Sequence, residues 1–156
     1  MSDWLVDDSL APATSGALAP LYEAAERGEL ALPHCGFCTE PLELEQTRCD
    51  RCGSTDVAWR TVAPTGTVHS VTTVHRRERS LIVADQPYHV VDVELASGHR
   101  LLMTTVGPTR EAPRIGDPAH VEFRHVGGVP VPALSTTDPT DPPLRSIAPT
   151  RTEVPQ

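Results

Sequence analysis

His34-Cys35-Gly36-Phe37-Cys38 and, after ten intervening residues, Cys49-Asp50-Arg51-Cys52-Gly53 decide how this sequence is read. A tight turn points both sulfurs of a Cys-x2-Cys unit the same way, and two such turns facing each other complete a tetrahedron of thiolates around a metal ion. Gly53 suits such a knuckle because it accepts positive φ at no steric cost, whereas the first knuckle is followed by Thr39. Four unmetallated buried thiols would have no reason to fall into spaced pairs. All four positions are filled by protein, leaving no open place for water or substrate, which argues for a structural ion, Zn²⁺. The same thiolates also suit iron, so a rubredoxin-like electron carrier stays open as an alternative.

Working outward, Pro20 is placed for the first turn of a helix through Leu21–Arg27, with Gly28 as terminator. Leu21, Ala24 and Ala25 share its apolar face, which packs on its own domain or meets a partner. Leu30-Ala31-Leu32 reads as a strand feeding the first knuckle, and Leu42-Glu43-Leu44-Glu45 alternates as its return strand. Trp59, in the next strand candidate, reads as a plug between ribbon and barrel. From Gly66 onward the pattern is β throughout: Thr67–His75, Tyr88–Leu95, Arg100–Val106 after a Ser97-Gly98 turn, and Ala119–His125. Nothing between these strands supports a βαβ unit. A small closed or partly closed barrel is the economical architecture, with a thin core expected in the ribbon and another in the barrel.

The chain carries thirteen arginines, no lysine and 21 acids, for a net charge of −8. Residues 1–60 hold −7 of it and residues 61–134 are neutral. No part has the basic footprint of a nucleic-acid binder, and six scattered aromatics (Trp4, Tyr22, Phe37, Trp59, Tyr88, Phe123) offer no stacking platform. No apolar run approaches the ~20 residues of a membrane span. The opening Met-Ser-Asp-Trp has neither basic nor apolar character, so the expectation is a cytoplasmic protein without a secretory signal.

The order of features, namely a helix, Leu30-Ala31-Leu32-Pro33-His34-Cys35, two knuckles, Gly66-Thr67-Val68-His69-Ser70-Val71-Thr72, Pro87-Tyr88-His89-Val90-Val91 and Ile115-Gly116-Asp117-Pro118, resembles the zinc-ribbon/OB-fold family associated with acyl-CoA enzymes. The resemblance covers roughly residues 17–134. It implies a mainly β chain with a helix within 17–29, a rubredoxin-like zinc ribbon over 30–60 and a five-stranded OB-fold over 61–134, while composition alone marks a flexible segment over 1–16 and a Pro/Thr-rich irregular tail over 135–156. It assigns Cys35, Cys38, Cys49 and Cys52 as zinc ligands. It further implies a non-catalytic partner of a thiolase-like or MaoC-like acyl-CoA enzyme, with acyl-CoA at the shared interface. Departures are Thr39 for the usual Gly and Thr47-Arg48 where a Pro-Arg pair often stands.

Catalysis by the chain itself finds little support. His34 abuts a ligand set that is already complete, and His69 and His75 are too far apart on one strand face for one metal. His89 and His125 fall on nominally apolar faces, where a satisfied core histidine is the commoner case. No Ser or Cys has a base at recognisable spacing. Arg76, Arg77 and Arg79 form a short run whose guanidinium forks match CoA phosphates, although a solvated loop is the favoured reading of so short a charge run. An OB-fold that binds nucleic acid is the remaining alternative.

Overall fold

The computed structural model describes residues 2–75 and 78–136. A short helix, α1 (Ala19–Ala25), precedes a two-stranded ribbon of β1 (Leu30–Cys35) and β2 (Val57–Val62), and five strands follow: β3 (Thr65–Val74), β4 (Tyr88–Leu95), β5 (Arg100–Met103), β6 (Pro118–Val126) and β7 (Val129–Leu134). Among the described residues no helix is long and apolar enough to cross a membrane. The tail beyond Thr136 lies outside the described residues.

β3 is the hub of the sheet, pairing antiparallel with β4 and β6, while β4 pairs with β5 and β6 with β7. The two outer strands meet where Thr105 bridges Leu134 in parallel. There the Val106 amide donates to the Leu134 carbonyl at 2.9 Å and the Leu134 amide to the Thr104 carbonyl at 2.8 Å. A nearly closed five-stranded barrel of OB-fold topology results. Gly66 is required at the tightest crossing. A Cβ there would stand 2.2 Å from the Glu94 carbonyl oxygen of β4. In β4 the alternation is clean, with His89, Val91, Val93 and Leu95 buried. In β3 a bulge between Val68 and Ser70 leaves His69 unpaired and shifts the inward positions from even to odd, so Val68 is buried while Val71 and Thr73 face in beyond it. His69 is thereby exposed, 3.6 Å from Glu94.

The core is shared, not divided. Leu21 and Tyr22 of α1 and Leu30 and Leu32 of β1 join Val68, Val91, Val93, Leu101, Met103, Val121 and Leu134 of the barrel in one buried cluster. The helix and the first ribbon strand therefore cap the barrel, so the expectation of two thin cores holds only in part, the ribbon keeping just the small cluster of Cys35, Leu42 and Cys49 to itself. Trp59 packs half-buried against the same cluster. α1 spends its apolar face on β1 and β7. At its end Glu29 N–H donates to Ala24 O and Gly28 N–H to Ala25 O, a Schellman closure.

Three other expectations change. The return strand of the ribbon is β2, paired with β1 from Leu30↔Val62 to Cys35↔Val57, whereas Leu42-Glu43-Leu44-Glu45 is irregular. Its alternation imitates a strand, but only Pro41 makes a single bridge, to His34. His125 is exposed, because β6 turns its last inward position over to Val126. Within the segment 1–16, expected to be flexible, Asp3 to Asp8 are tied to the barrel and its loops. The buried Asp3 carboxylate accepts from the Leu5 and Val6 amides and from Arg124 of β6, and Trp4 Nε1 donates to the Thr105 carbonyl at 3.1 Å. These anchors are polar and non-periodic, so hydrophobic patterning does not reveal them.

One buried contact joins ribbon to barrel. His99, in the β4–β5 turn, donates from Nε2 to the Pro33 carbonyl of β1 at 2.8 Å, which leaves Nδ1 to accept from Ser97 Oγ at 2.8 Å. The His34 ring stands edge-on at 4.7 Å. Burial holds the His99 imidazole below its ordinary range. His34 adds to this, while the Pro33 carbonyl and Glu43 oppose it. The unfolded chain therefore takes up this proton more readily than the folded one, so the contribution is intact above pH about 6.5 and is lost as pH falls from there through the lowered folded value. His99→Gln, which keeps a donor without a titrating ring, flattens the fall in melting temperature between pH 7.5 and pH 5. A second variant tests the shared core. Leu32→Ala, although in the ribbon strand, costs about 2–5 kcal/mol in a single urea transition reported alike by ribbon and barrel probes.

Candidate metal centre

The two knuckles are local copies of one turn. In the first, Thr39 N–H donates to Cys35 O at 3.0 Å and Cys35 N–H to Glu40 O at 2.8 Å. In the second, Gly53 N–H donates to Cys49 O at 2.8 Å and Cys49 N–H to Ser54 O at 2.8 Å. Each turn needs a left-handed residue at the same place, supplied by Gly53 at φ 74° and by Thr39 at φ 63°. Thr39 is the only non-glycine with positive φ among the described residues, and a β-branched side chain is a poor occupant of that region.

The turns bring the Cys35, Cys38, Cys49 and Cys52 sulfurs within 4.8 Å of one another. Cys35 Sγ to Cys52 Sγ is 3.5 Å and Cys38 Sγ to Cys49 Sγ is 3.6 Å. A tetrahedron with metal–sulfur bonds of ~2.3 Å has edges of about 3.8 Å, so the donor set and spacing fit a four-thiolate ion. Cys35 and Cys49 are buried, Cys38 is half-buried and Cys52 is exposed. Leu42 packs beside them in a small cluster separate from the main core.

Electrostatics explain what a cation would do for the four sulfurs. The Cys38 amide donates to Cys35 Sγ at 3.4 Å and, against burial and with help from the Phe37 amide and Cys52, brings the Cys35 thiol down to about 6. The Ser54 amide alone would lower Cys52, but loss of hydration and the Cys38, Cys35 and Cys49 sulfurs together push it up to about 12. Cys38 is also raised. The Glu40 amide favours its thiolate, and burial with the Cys49 and Cys35 sulfurs outweighs that pull. Four thiolates at this spacing repel one another, and a divalent ion removes that repulsion and cross-links the two knuckles. With four protein donors the site is closed to substrate.

His34 lies outside the sulfur cluster, its Nδ1 donating to the Leu32 carbonyl at 3.1 Å. His89 is buried, with Nδ1 3.0 Å from Thr73 Oγ1. His89 Nε2 is buried without a hydrogen-bond partner among the described residues, so the expected core histidine is satisfied at one nitrogen alone. Of the arginine run, Arg79 is exposed in a turn, and Arg76 and Arg77 lie outside the described residues. Sequence reasoning missed His99 and Asp3, whose partners stand 66 and 121 residues away.

The model of the family described as the ChsH2 C-terminal OB-fold domain matches residues 59–124. A probable enoyl-CoA hydratase alpha subunit from Thermomonospora curvata is 32% identical over 114 residues, 72% of this chain but 34% of that relative. The match thus spans about a third of the relative's length. Among solved structures, the Ltp2-ChsH2(DUF35) aldolase is 28% identical with a TM-score of 0.68, covering 80% of this chain and 97% of that one. A DUF35-family protein of unknown function from Sulfolobus solfataricus, 11% identical with a TM-score of 0.53 over 78% of this chain and 85% of that one, shares the fold.

The matched turns set up a reciprocal test. Thr39→Gly relieves a left-handed threonine and raises stability of the metal-loaded chain by on the order of 1 kcal/mol, after allowance for the greater freedom of glycine when unfolded. Gly53→Thr costs a similar amount. Thermal unfolding and competition with a chromogenic chelator check both.

Proposed function

Through residues 59–124 the chain belongs to the family of ChsH2 C-terminal OB-fold domains, and from that membership we propose that it is a non-catalytic accessory subunit of a thiolase-like or MaoC-like hydratase acyl-CoA enzyme. The observation that carries the reading is the closed four-sulfur site. An ion there staples a fold and has no free position for chemistry. The names borne by the relatives point the same way. One is called a hydratase subunit and the other is an aldolase that pairs ChsH2 with Ltp2.

In this reading Zn²⁺ occupies Cys35, Cys38, Cys49 and Cys52, and when bound it supplies cross-linking and charge neutralisation. The protein's own residues then do the rest. β1 carries the ribbon on the barrel core, and His99 holds β1 at Pro33. The barrel offers no platform for bases, since Tyr88 and Phe123 are both half-buried. As a secondary part of the proposal, Arg76, Arg77 and Arg79 contact CoA phosphates at the shared interface, because guanidinium forks match phosphate oxygens.

Co-expression with the acyl-CoA enzyme encoded beside it checks the reading. The two are expected to co-elute as one complex carrying one zinc per copy of this chain, while the isolated chain turns over no enoyl-CoA, thiolase or aldolase substrate. Separate elution with the enzyme's activity unaffected overturns it. On the same complex, calorimetric titration of a CoA ester reads the arginines. Arg76→Ala with Arg77→Ala weakens binding, and an unchanged isotherm removes that part.

A further inference from the structure

Five of the six aromatic side chains are buried or half-buried, whereas Phe37 is 79% exposed, the most exposed large apolar residue among those described. Its position is fixed. Cys35 and Cys38 flank it, the Thr39 amide closes the turn beneath it, and the Cys38 amide donates to Cys35 Sγ. An aromatic held on a stapled turn loses little freedom when it is buried, which is the property of an interface anchor.

Its surroundings set the chemistry of what would cover it. Asp56 lies against the same knuckle. Its carbonyl accepts from the Gly36 amide at 2.8 Å, and its carboxylate fills the space beside Gly36, where an added Cβ would stand 2.1 Å from Oδ2. Asp50 is exposed in the facing knuckle, and neither aspartate has an ion-pair partner among the described residues. Of the nearby cations, Arg51 is paired with Glu40 at 2.8 Å, while Arg48 donates to the neutral Gly53 carbonyl at 2.9 Å and offsets one of these charges. Four thiolates around a divalent ion leave two further negative charges directly behind the turn. A basic protein surface complements this face, and an anionic nucleic acid or lipid surface does not.

We infer that the Phe37 knuckle is the docking anchor of this chain, inserting its ring into an apolar pocket rimmed by Arg or Lys on the partner enzyme while Asp50 and Asp56 meet the rim. The inference rests on the accessory-subunit reading and adds where on the chain the partner sits. Aromatic anchors of this kind account for much of an interface's energy, and rim charges govern its on-rate and salt dependence.

Biolayer interferometry between the zinc-loaded full chain and the acyl-CoA enzyme encoded beside it tests the anchor. Phe37→Ala, with circular dichroism and zinc content matching the wild type, weakens the Kd at least tenfold. Asp50→Asn with Asp56→Asn lowers the on-rate and flattens its dependence on salt. Leu102→Ala, which removes a side chain 76% exposed on β5, stays within twofold. Tight wild-type binding that Phe37→Ala leaves unchanged, or that Leu102→Ala weakens more, overturns the anchor alone. An enzyme that ignores the wild-type chain overturns the accessory-subunit reading and the anchor together.

Discussion

The Pro33 carbonyl oxygen accepts two hydrogen bonds, from His99 Nε2 at 2.8 Å and from the Leu42 amide at 3.0 Å, and the assembly turns on that point. One bond comes from a barrel turn and the other from the segment between the knuckles. β1 thus serves three neighbours at once. Leu30 and Leu32 fill the barrel core, Cys35 enters the sulfur cluster, and Pro33 between them anchors both flanks. A proline is tolerated here because β1 forms a full ladder only with β2, and the pairing on its other edge, a single His34–Pro41 bridge with bonds from Cys35 N–H to Glu40 O and from Leu42 N–H to Pro33 O, asks no amide of residue 33. Displacing β1 would expose two leucines and strand a buried imidazole without its acceptor.

This arrangement explains how a chain with 38% hydrophobic residues and 4% aromatics holds a fold. A ribbon and a barrel closing separately would each need a core of their own. Sharing one cluster lets α1 and β1 cover the barrel's apolar end, and an ion held by the four sulfurs would need to staple only the small sulfur-and-Leu42 cluster beyond it. Polar anchors do comparable service at the other end, where Arg124 and two amides compensate the buried Asp3 carboxylate.

Features carried by local spacing were legible in the sequence: the two knuckles, the apolar face of α1, and the alternation of β4, whose bounds the pattern marks at Tyr88 and Leu95. The barrel followed from runs of β-branched residues without intervening helices, and the resemblance supplied its OB-fold topology. What stayed hidden depends on distance along the chain. Leu42-Glu43-Leu44-Glu45 has the alternation of a strand, but its neighbours in space leave β1 to pair with Val57–Val62 instead. The bulge at His69 changes which residues face inward without any local sign beyond an ordinary β-branched run. His99 and Asp3 find their partners only once the chain has folded, and no window of a dozen residues contains both ends of either contact.

The uneven charge takes its meaning from this geometry. Residues 1–60 carry −7, yet the acids divide by what they touch. Asp3, Asp7 and Asp8 cap amides at the barrel's edge, and Glu29 and Glu40 pair with Arg27 and Arg51. Asp50 and Asp56 are exposed, have no ion-pair partner among the described residues, and stand on the knuckles beside the four-sulfur cluster. Unpaired like charges on one small face raise the energy of the isolated chain slightly and favour whatever neutralises them. The fold places its most exposed aromatic, Phe37, on the first of these two turns, so the ribbon carries an apolar ring and unpaired acids on one face while the barrel supports it.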